Sequence, residues 1–130
     1  MLILVVRTDK PESEIGLYDG VTKMFYKKWH AHFDLAETIH TKVSKLLNEA
    51  DIKWHNLNGI VIYKGPGSFT GLRIGIAFAN TLSYSLNIPI IGSSGDDWVV
   101  SGIKELLNHK NDKTIVPEYG ADVHITVPKR

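Results

Sequence analysis

The chain of 130 residues contains no cysteine, and its 15 lysines and arginines nearly balance its 14 aspartates and glutamates. The absence of cysteine excludes disulfides, thiolate nucleophiles and zinc sites built on thiolates. A formal net charge of +1 provides no bulk electrostatic field for nucleic acid, so any RNA contact has to be local or supplied by a partner. Composition therefore argues against a stand-alone RNA-binding protein.

Long hydrophobic runs and targeting signals are also scarce. Residues 2–6 are apolar, but no basic segment precedes them and the run stops at Arg7. The run is too short for a signal-peptide core or a membrane span, and it is better interpreted as a central β-strand. We expect a cytoplasmic protein with no membrane contact. The hydrophobic content of 43% and the charged content of 22% suit one compact domain.

The most informative stretch is a glycine-rich turn between an apolar run and a long helical pattern. The β-branched run 59–63 predicts a buried strand, and the apolar pattern after the turn predicts a helix over 69–86. Ser68 is placed to cap this helix, because a side-chain oxygen can accept hydrogen bonds from backbone N–H groups one turn in. The motif loop consists of Gly65, Pro66, Gly67, Ser68 and Gly71.

One interpretation of the motif loop is anion binding, because free N–H groups and the positive end of a helix dipole favour phosphate. The known fingerprints do not match. A Walker loop needs Lys and then Ser or Thr after its last glycine, whereas Leu72 and Arg73 follow Gly71. The dinucleotide pattern is missed by one residue. We therefore favour turn and packing glycines over a phosphate cradle.

The helix predicted over 69–86 is apolar around much of its circumference. Its large side chains spread over an arc of roughly 220°, well beyond the stripe of about 100° on a one-sided helix. A ridge of small residues four apart would also let another backbone approach closely. We infer two packing partners for this helix, its own sheet and a second surface. The ridge consists of Gly71, Gly75, Ala79 and Ser83.

The N-terminal part of the chain predicts a hairpin followed by a helix. Two strand-like runs, 14–18 and 21–26, flank an Asp-Gly pair, which is the strongest short hairpin signal. Asp34, with Glu37 three residues later, predicts a capping box at the start of an amphipathic helix. With the run 2–6, these patterns predict a three-stranded meander and a covering helix.

The C-terminal part supplies one more strand, over 89–92, and a last helix over 98–107 that Asp96 or Asp97 could cap. The order β-β-β-α-β-α-β-α predicts an α/β fold with a mixed five-stranded sheet. We expect one domain over residues 1–108 and an extended C-terminal tail over residues 109–130, which contains two prolines.

Patterns for catalysis or metal binding are weak. His30 and His32 form an H-x-H pair after Trp29, but two imidazoles without a third ligand nearby are a poor metal signal. Solvated histidines at a strand end are the favoured interpretation. The chain has no H-E-x-x-H helix, no evident pair of nucleophile and base, and no convincing carboxylate dyad. We expect no catalytic residue, no cofactor and no metal site.

Residues 65–77 and the segment Asn-Ile-Pro-Ile-Ile-Gly at 87–92 resemble the signature of the TsaB (YeaZ) family, the bacterial accessory subunit for threonylcarbamoyladenosine formation on tRNA. The likeness runs from residue 1 to about 94, and 117–119 is similar to the family's closing P-x-Y segment. The resemblance implies the ribonuclease-H-like lobe of the actin, sugar kinase and Hsp70 superfamily. Family members ordinarily carry a second lobe, so this sequence looks like a short form without it.

The resemblance also implies a non-catalytic scaffold. TsaB proteins bind the catalytic subunit TsaD through first-lobe helices and work with the ATPase TsaE in modifying tRNA adenosine 37, so tRNA would be met only indirectly. Enzymes of the superfamily carry a metal-binding acid where this chain has Arg7, followed by Thr8 and Asp9. The expected interface, which a homodimer could also use, comprises Phe69, Leu72, Arg73, Ile76, Ala79, Asn80 and Ser83.

Two other functional classes stay open at this point. A nucleotide-binding ATPase or kinase-like enzyme would use the Gly65 to Ser68 turn as its phosphate site, although the Lys of such loops is missing. A glycoprotease-like hydrolase would use Ser68 or Ser94 as its nucleophile. That reaction needs a base, and no histidine stands in a recognisable relation to either serine.

Overall fold

A computed structural model of the protein describes residues 1–31 and 33–119. The order of its helices and strands is the predicted one, and the bounds of the second and third helices agree with the prediction. A short 3-10 turn, Trp54–Asn56, precedes the fourth strand. The elements are β1 (Leu2–Arg7), β2 (Glu12–Asp19), β3 (Thr22–His30), α1 (Leu35–Glu49), β4 (Gly59–Tyr63), α2 (Phe69–Leu86), β5 (Ile90–Ser93) and α3 (Trp98–Leu107).

The strands form the mixed sheet expected from the sequence, in the order β3-β2-β1-β4-β5. β1, β2 and β3 form an antiparallel meander. β4 pairs with β1 in parallel, and β5 pairs with β4 in parallel. The hairpin of β2 and β3 is longer than predicted, because the ladder continues to Glu12 and His30, past the apolar runs. Backbone pairing does not require apolar side chains, so hydrophobic pattern alone underestimates an edge hairpin.

The helices cover the two faces of the sheet unequally. Successive strand residues point to opposite faces. Thr8, just after β1, meets Gly75 of α2, whereas Val61 of β4 meets Gly102 of α3 on the other face. α1 packs beside α2. The core between these layers is aliphatic, with the side chains of Leu4, Val6, Ile60 and Ile62 fully buried in the sheet.

The helix caps differ from the prediction. Ser68, Asp34 and Asp97 occupy the N-cap positions, but none of the three makes a side-chain hydrogen bond to its helix among the described residues. The capping box of Asp34 and Glu37 is therefore wrong. Asp34 has φ −112° and ψ 23°, and Asp97 has φ −98° and ψ 25°, outside the extended region that aims a cap side chain at the helix. Backbone carbonyls begin these helices instead.

Two sequence-based expectations fall on residues that the structure does not describe. The H-x-H pair includes His32, which lies outside the described residues, and so does the part of the expected extended tail from residue 120 to residue 130. In residues 1–31 and 33–119, no group of three or more histidine, aspartate or glutamate side chains is arranged to hold a metal ion. None of the helices in these ranges combines the length and hydropathy that a bilayer crossing requires.

Candidate partner-binding surface

The motif loop is held by contacts with its own domain. Gly65 has a φ of 120°, which other residues rarely adopt, and a Cβ there would overlap the carbonyl oxygen of Glu118. A Cβ at Gly67 would overlap the Asp9 side chain, and one at Gly71 would overlap the Thr8 carbonyl oxygen. These positions therefore need glycine for backbone conformation or for close approach, without reference to any ligand.

The end of β1 is closed by an internal ion pair. Arg7 Nε donates to Asp9 Oδ1 over 2.7 Å and Arg7 Nη2 donates to Asp9 Oδ2 over 3.3 Å, so both carboxylate oxygens are engaged. The guanidinium lies 3.8 Å from the centre of the Tyr63 ring. Burial alone would lower the pKa of Arg7, but its hydrogen bond and attraction to Asp9 raise the pKa above the ordinary value. Asp9 is thus neutralised from within the chain.

The neighbouring side chains complete this closure. Thr8 Oγ1 donates to the Gly71 carbonyl over 2.7 Å, which fastens α2 to the end of β1. Burial raises the pKa of Tyr63 while Arg7 opposes the shift, and the phenol donates to the Pro66 carbonyl over 2.8 Å. A cleft of about 390 Å³ lies in front of Thr8, Asp9, Ser68 and Thr70. Its acidic group, Asp9, is already paired with Arg7, so the lining offers no free carboxylate for a metal ion.

The small-residue ridge of α2 packs on the chain itself, and this overturns part of the predicted interface. Gly71 and Gly75 sit against Thr8, so the helix lies close to the sheet and its next residues point into the core. Four predicted interface residues are therefore covered within the domain and unavailable to a partner. Their exposed fractions are 0% for Leu72, 3% for Ile76, 0% for Ala79 and 5% for Ser83.

The other three predicted interface residues lie on the side of α2 near the C-terminal segment. Phe69 is 52% exposed, and the centre of its ring lies 4.6 Å from the centre of the Tyr119 ring. The guanidinium of Arg73 lies over the Phe69 ring, 5.2 Å from its centre. Asn80 is partly buried and forms two hydrogen bonds with the backbone of Ile115, of 2.9 and 3.1 Å. This side of α2 therefore holds the segment up to Tyr119.

The open part of α2 faces α1. The two helices leave a groove of about 550 Å³ between them, with mostly apolar walls. Ile74, Phe78 and Leu82 are only partly buried and recur four residues apart, so they form one stripe along the groove. We call this the α1–α2 groove. Its walls include Ile39 and His40 of α1 and Ile74, Ala77, Phe78 and Leu82 of α2.

The sequence predicted an apolar second surface on α2 but not this stripe. The wide apolar arc contained both stripes, the one on Leu72 and Ile76 and the one on Ile74 and Phe78. The glycine ridge was the signal that could have separated them. The whole ridge, from Gly71 to Ser83, marks the side of closest approach to the sheet. The stripe on Leu72 and Ile76 lies nearer to the centre of that ridge, so the stripe on Ile74 and Phe78 is the one left open.

The hydrolase alternative finds no support at its buried serine. Ser94 Oγ is buried and has no hydrogen-bond partner in the described ranges 1–31 and 33–119. A serine nucleophile needs a base within hydrogen-bond reach. Ser68 is exposed at the start of α2.

Comparison with known proteins gives a family. A model of the family described as "TsaD: tRNA N6-adenosine threonylcarbamoyltransferase" matches residues 30–117, more than half of the chain. The chain belongs to this TsaD family. Within it, the resemblance to TsaB (YeaZ) is confirmed by curated relatives and by solved structures.

Two curated relatives are named "tRNA threonylcarbamoyladenosine biosynthesis protein TsaB". The one from Bacillus subtilis is 54% identical over 48 residues, which cover 37% of this chain and 21% of the relative. The one from Escherichia coli is 32% identical over 99 residues, which cover 72% of this chain and 40% of the relative. The chain thus spans between a fifth and two fifths of the length of these TsaD-family relatives.

A solved structure gives the fold. "YeaZ from Pseudomonas aeruginosa" superposes with a TM-score of 0.65 at 25% identity, covering 72% of this chain and 42% of that one. The predicted fold, a ribonuclease-H-like lobe of the actin, sugar kinase and Hsp70 superfamily with a mixed five-stranded sheet, is confirmed. The α1–α2 groove and the motif loop both lie in the part of the chain that matches the TsaD family.

Proposed function

We propose that this chain is a non-catalytic scaffold that binds a TsaD-like catalytic subunit through the α1–α2 groove. In this way it supports the N6-threonylcarbamoyladenosine modification of tRNA adenosine 37. The observation that carries the proposal is the groove itself: the apolar stripe of Ile74, Phe78 and Leu82 stays partly exposed beside α1, while Leu72 and Ile76 of the same helix are buried. An apolar groove between two helices has the shape in which the apolar face of a partner helix binds.

The occupant follows from the family match. The chain matches the TsaD family, so a TsaD-like subunit carries a related lobe with helices equivalent to α1 and α2. Two such helix pairs can pack groove to groove about an approximate twofold axis, with each stripe covering the other. A second copy of this chain would offer the same helices, so the homodimer is the competing occupant.

The non-catalytic part of the proposal is supported by the end of β1. Catalysis by proton transfer or metal binding at Asp9 would require a free carboxylate, but Arg7 engages both of its oxygens. We extend the proposal to a cytoplasmic location and to a larger complex with a TsaE-like ATPase, as implied by the TsaB resemblance. Calorimetry with ATP should then give no saturable binding to the isolated chain at millimolar concentration, and binding would restore the nucleotide-enzyme alternative.

The test of the groove uses two charge insertions on the same helix. Ala77 is exposed and lines the groove, whereas Tyr84 is 89% exposed and does not line it. Ala77→Asp should abolish co-purification with a co-expressed TsaD-like subunit, because a desolvated carboxylate in an apolar interface costs several kcal/mol, roughly a hundredfold or more in affinity. Tyr84→Asp should leave it unchanged.

The competing outcomes are distinct. Loss of binding in both variants, or in neither, would remove the groove as the docking site. The mass of the wild-type mixture, measured by light scattering, separates the occupants: a one-to-one complex with the TsaD-like subunit supports the proposal. A persistent homodimer that excludes the TsaD-like subunit contradicts it.

A further inference from the structure

A second crevice lies on the other flank of α1, between that helix and the edge strand β3. Its volume is about 130 Å³, and the buried aliphatic side chains of Ile15 and Leu46 form its floor. The walls carry four lysines, one tryptophan and one glutamate, and we call this the lysine crevice. These residues are Lys27, Lys28, Trp29, Lys42, Lys45 and Glu49.

The positive charge of the lysine crevice is mostly uncompensated. Glu49 is the acid of the lining and it pairs with Lys27 over 3.2 Å. In the ranges 1–31 and 33–119, no carboxylate lies within ion-pair distance of Lys42 or Lys45. Lys28 lines the crevice through its place in β3, but it alternates with Lys27 and stands opposite Glu14 on the other face of the sheet, so it is not counted in this charge. A chain with a net charge of only +1 therefore concentrates a local excess of positive charge here. Such an excess attracts an anion from outside the molecule.

Trp29 lies among these lysines and gives the crevice an aromatic surface. The indole is partly exposed, and Lys42 Nζ lies 6.0 Å from the centre of its ring. Its Nε1 donates to Thr38 Oγ1 over 3.4 Å, which orients the ring against α1. Ammonium groups bind phosphates as point charges, and an aromatic face beside them accepts a stacked base or ribose.

Protection of a sheet edge is the simpler explanation for part of this pattern. Lysines on an edge strand discourage pairing with another chain, and β3 is an edge of the sheet. That explanation covers Lys27 and Lys28. It does not cover Lys42 and Lys45, which belong to a helix and line the same crevice from the opposite wall.

We propose that the lysine crevice binds the phosphate backbone of the tRNA substrate. This inference rests on the proposed function for the choice of RNA, and it replaces the expectation that tRNA is met only through a partner. The crevice and the α1–α2 groove lie on opposite flanks of α1: Ala36 and His40 line the groove, whereas Lys42 and Lys45 line the crevice. The chain can therefore hold a catalytic subunit and RNA at the same time.

The experiment measures binding of fluorescein-labelled, unmodified tRNA to the full chain by anisotropy between 50 and 200 mM salt. Binding should weaken as salt rises, because phosphate contacts release counterions. The double variant Lys42→Glu/Lys45→Glu should lower affinity on the order of tenfold or more, and should reduce the slope of log K against log salt by about 1.4 to 1.8.

The matched control is Lys104→Glu/Lys110→Glu, which makes the same charge change on exposed residues of α3 and the turn after it, across the sheet. It should change tRNA affinity by less than about twofold, because a screened charge change remote from the site acts only weakly. A second readout is Trp29 itself. Added tRNA should quench the intrinsic fluorescence of the wild type, and the variant Trp29→Phe should lose that quenching.

Several outcomes would overturn the inference: no binding by the wild type, an equal loss in the control, or equal competition by poly-glutamate, which would mark a site for acidic protein segments. Failure of the proposed function looks different. A chain that binds tRNA through these lysines but never binds a TsaD-like subunit loses the scaffold role alone. If the Lys42/Lys45 variant keeps both partner and tRNA, the crevice assignment fails alone.

Discussion

The end of β1 and the α1–α2 groove lie on two sides of the same helix, and they differ in how far the chain satisfies its own groups. At the end of β1, three polar or small groups have internal partners: Asp9 has Arg7, Thr8 has Gly71, and Gly75 has Thr8. In the groove, Ile74 and Phe78 keep apolar surface in water. The first region contributes to stability, and the second is available for association.

This difference separates the two ways in which substitutions should act. A change at the end of β1 should alter the free energy of unfolding and leave partner affinity unaffected in whatever protein remains folded. A change in the groove should do the reverse. Neighbouring residues of α2 can therefore differ in which quantity they affect, stability or partner affinity. Each residue is rotated by about 100° from the one before it, which is enough to pass from the buried side of the helix to the open side.

The largest effect is expected at Ile76, which is 3% exposed. Ile76→Asp places a carboxylate in an aliphatic core with no cation to pair it, and this should lower the free energy of unfolding by about 4 kcal/mol or more. Its neighbour provides the contrast. Ala77→Asp should cost only about 0.7 kcal/mol, the difference in helix propensity, although it abolishes pairing. Urea denaturation followed by circular dichroism measures both.

The opposite result would be a stable Ile76→Asp variant that no longer binds the partner and an Ala77→Asp variant that still binds it. The side of α2 with Ile76 would then be the docking surface. A soluble, cooperatively unfolding Ile76→Asp variant that no longer binds a TsaD-like subunit would restore the interface predicted from the sequence.

A second large effect is expected at the ion pair of β1. The side chains of Arg7 and Asp9 are 15% and 6% exposed, and Asp9→Asn leaves the guanidinium with a neutral partner. Breaking a pair this well covered should cost about 3 kcal/mol. The control is Glu118→Gln, which removes the charge of an exposed pair with Lys64 and should cost less than about 0.5 kcal/mol. Equal urea midpoints for the two variants would mean that the end of β1 is not closed.

An intermediate effect is expected where α2 touches Thr8. Gly75→Ala should gain about 1 kcal/mol in helix propensity but lose more through overlap with Thr8, where overpacking costs about 1–3 kcal/mol. The net change should be destabilising in the wild type. It should become smaller in a Thr8→Ala background, because the overlapping hydroxyl is gone. A double-mutant cycle in urea measures this coupling, and strict additivity would contradict the contact.

The sequence was sufficient for the fold because its local signals agreed with one another. The β-branched runs, the Asp-Gly hairpin and the strand-turn-helix around Gly65 each predicted an element that the structure contains, and their order left few topologies. The caps were missed, since a residue type at an N-cap position does not fix its ψ, and ψ decides whether Asp34 can reach the helix N–H groups.

The site was predicted less well, because a helical wheel gives angles between residues but not the direction of the sheet. Residues 72 and 76 and residues 74 and 78 look alike as apolar stripes. The small-residue ridge was the one sequence signal for the side that faces the sheet, and the structure shows that this side, with Leu72 and Ile76, is the buried one. The pairing of Arg7 with Asp9 was also missed, although residues two apart on an extended chain share a face and their opposite charges make such a pair possible.

The smallest effect is expected at Phe69, an exposed residue that the sequence assigned to the interface and the structure places away from the groove. Its ring contacts Tyr119, and such a pair contributes about 0.5–1.5 kcal/mol beyond burial, less when half exposed. Phe69→Ala should therefore lower stability by no more than about 1 kcal/mol, and the affinity for a TsaD-like subunit should stay within twofold of the wild type in a calorimetric titration. A tenfold loss of affinity with unchanged stability would contradict this. Such a result requires Phe69 to contact the partner directly, and the docking surface would then extend from the groove around α2 to Phe69 and Arg73.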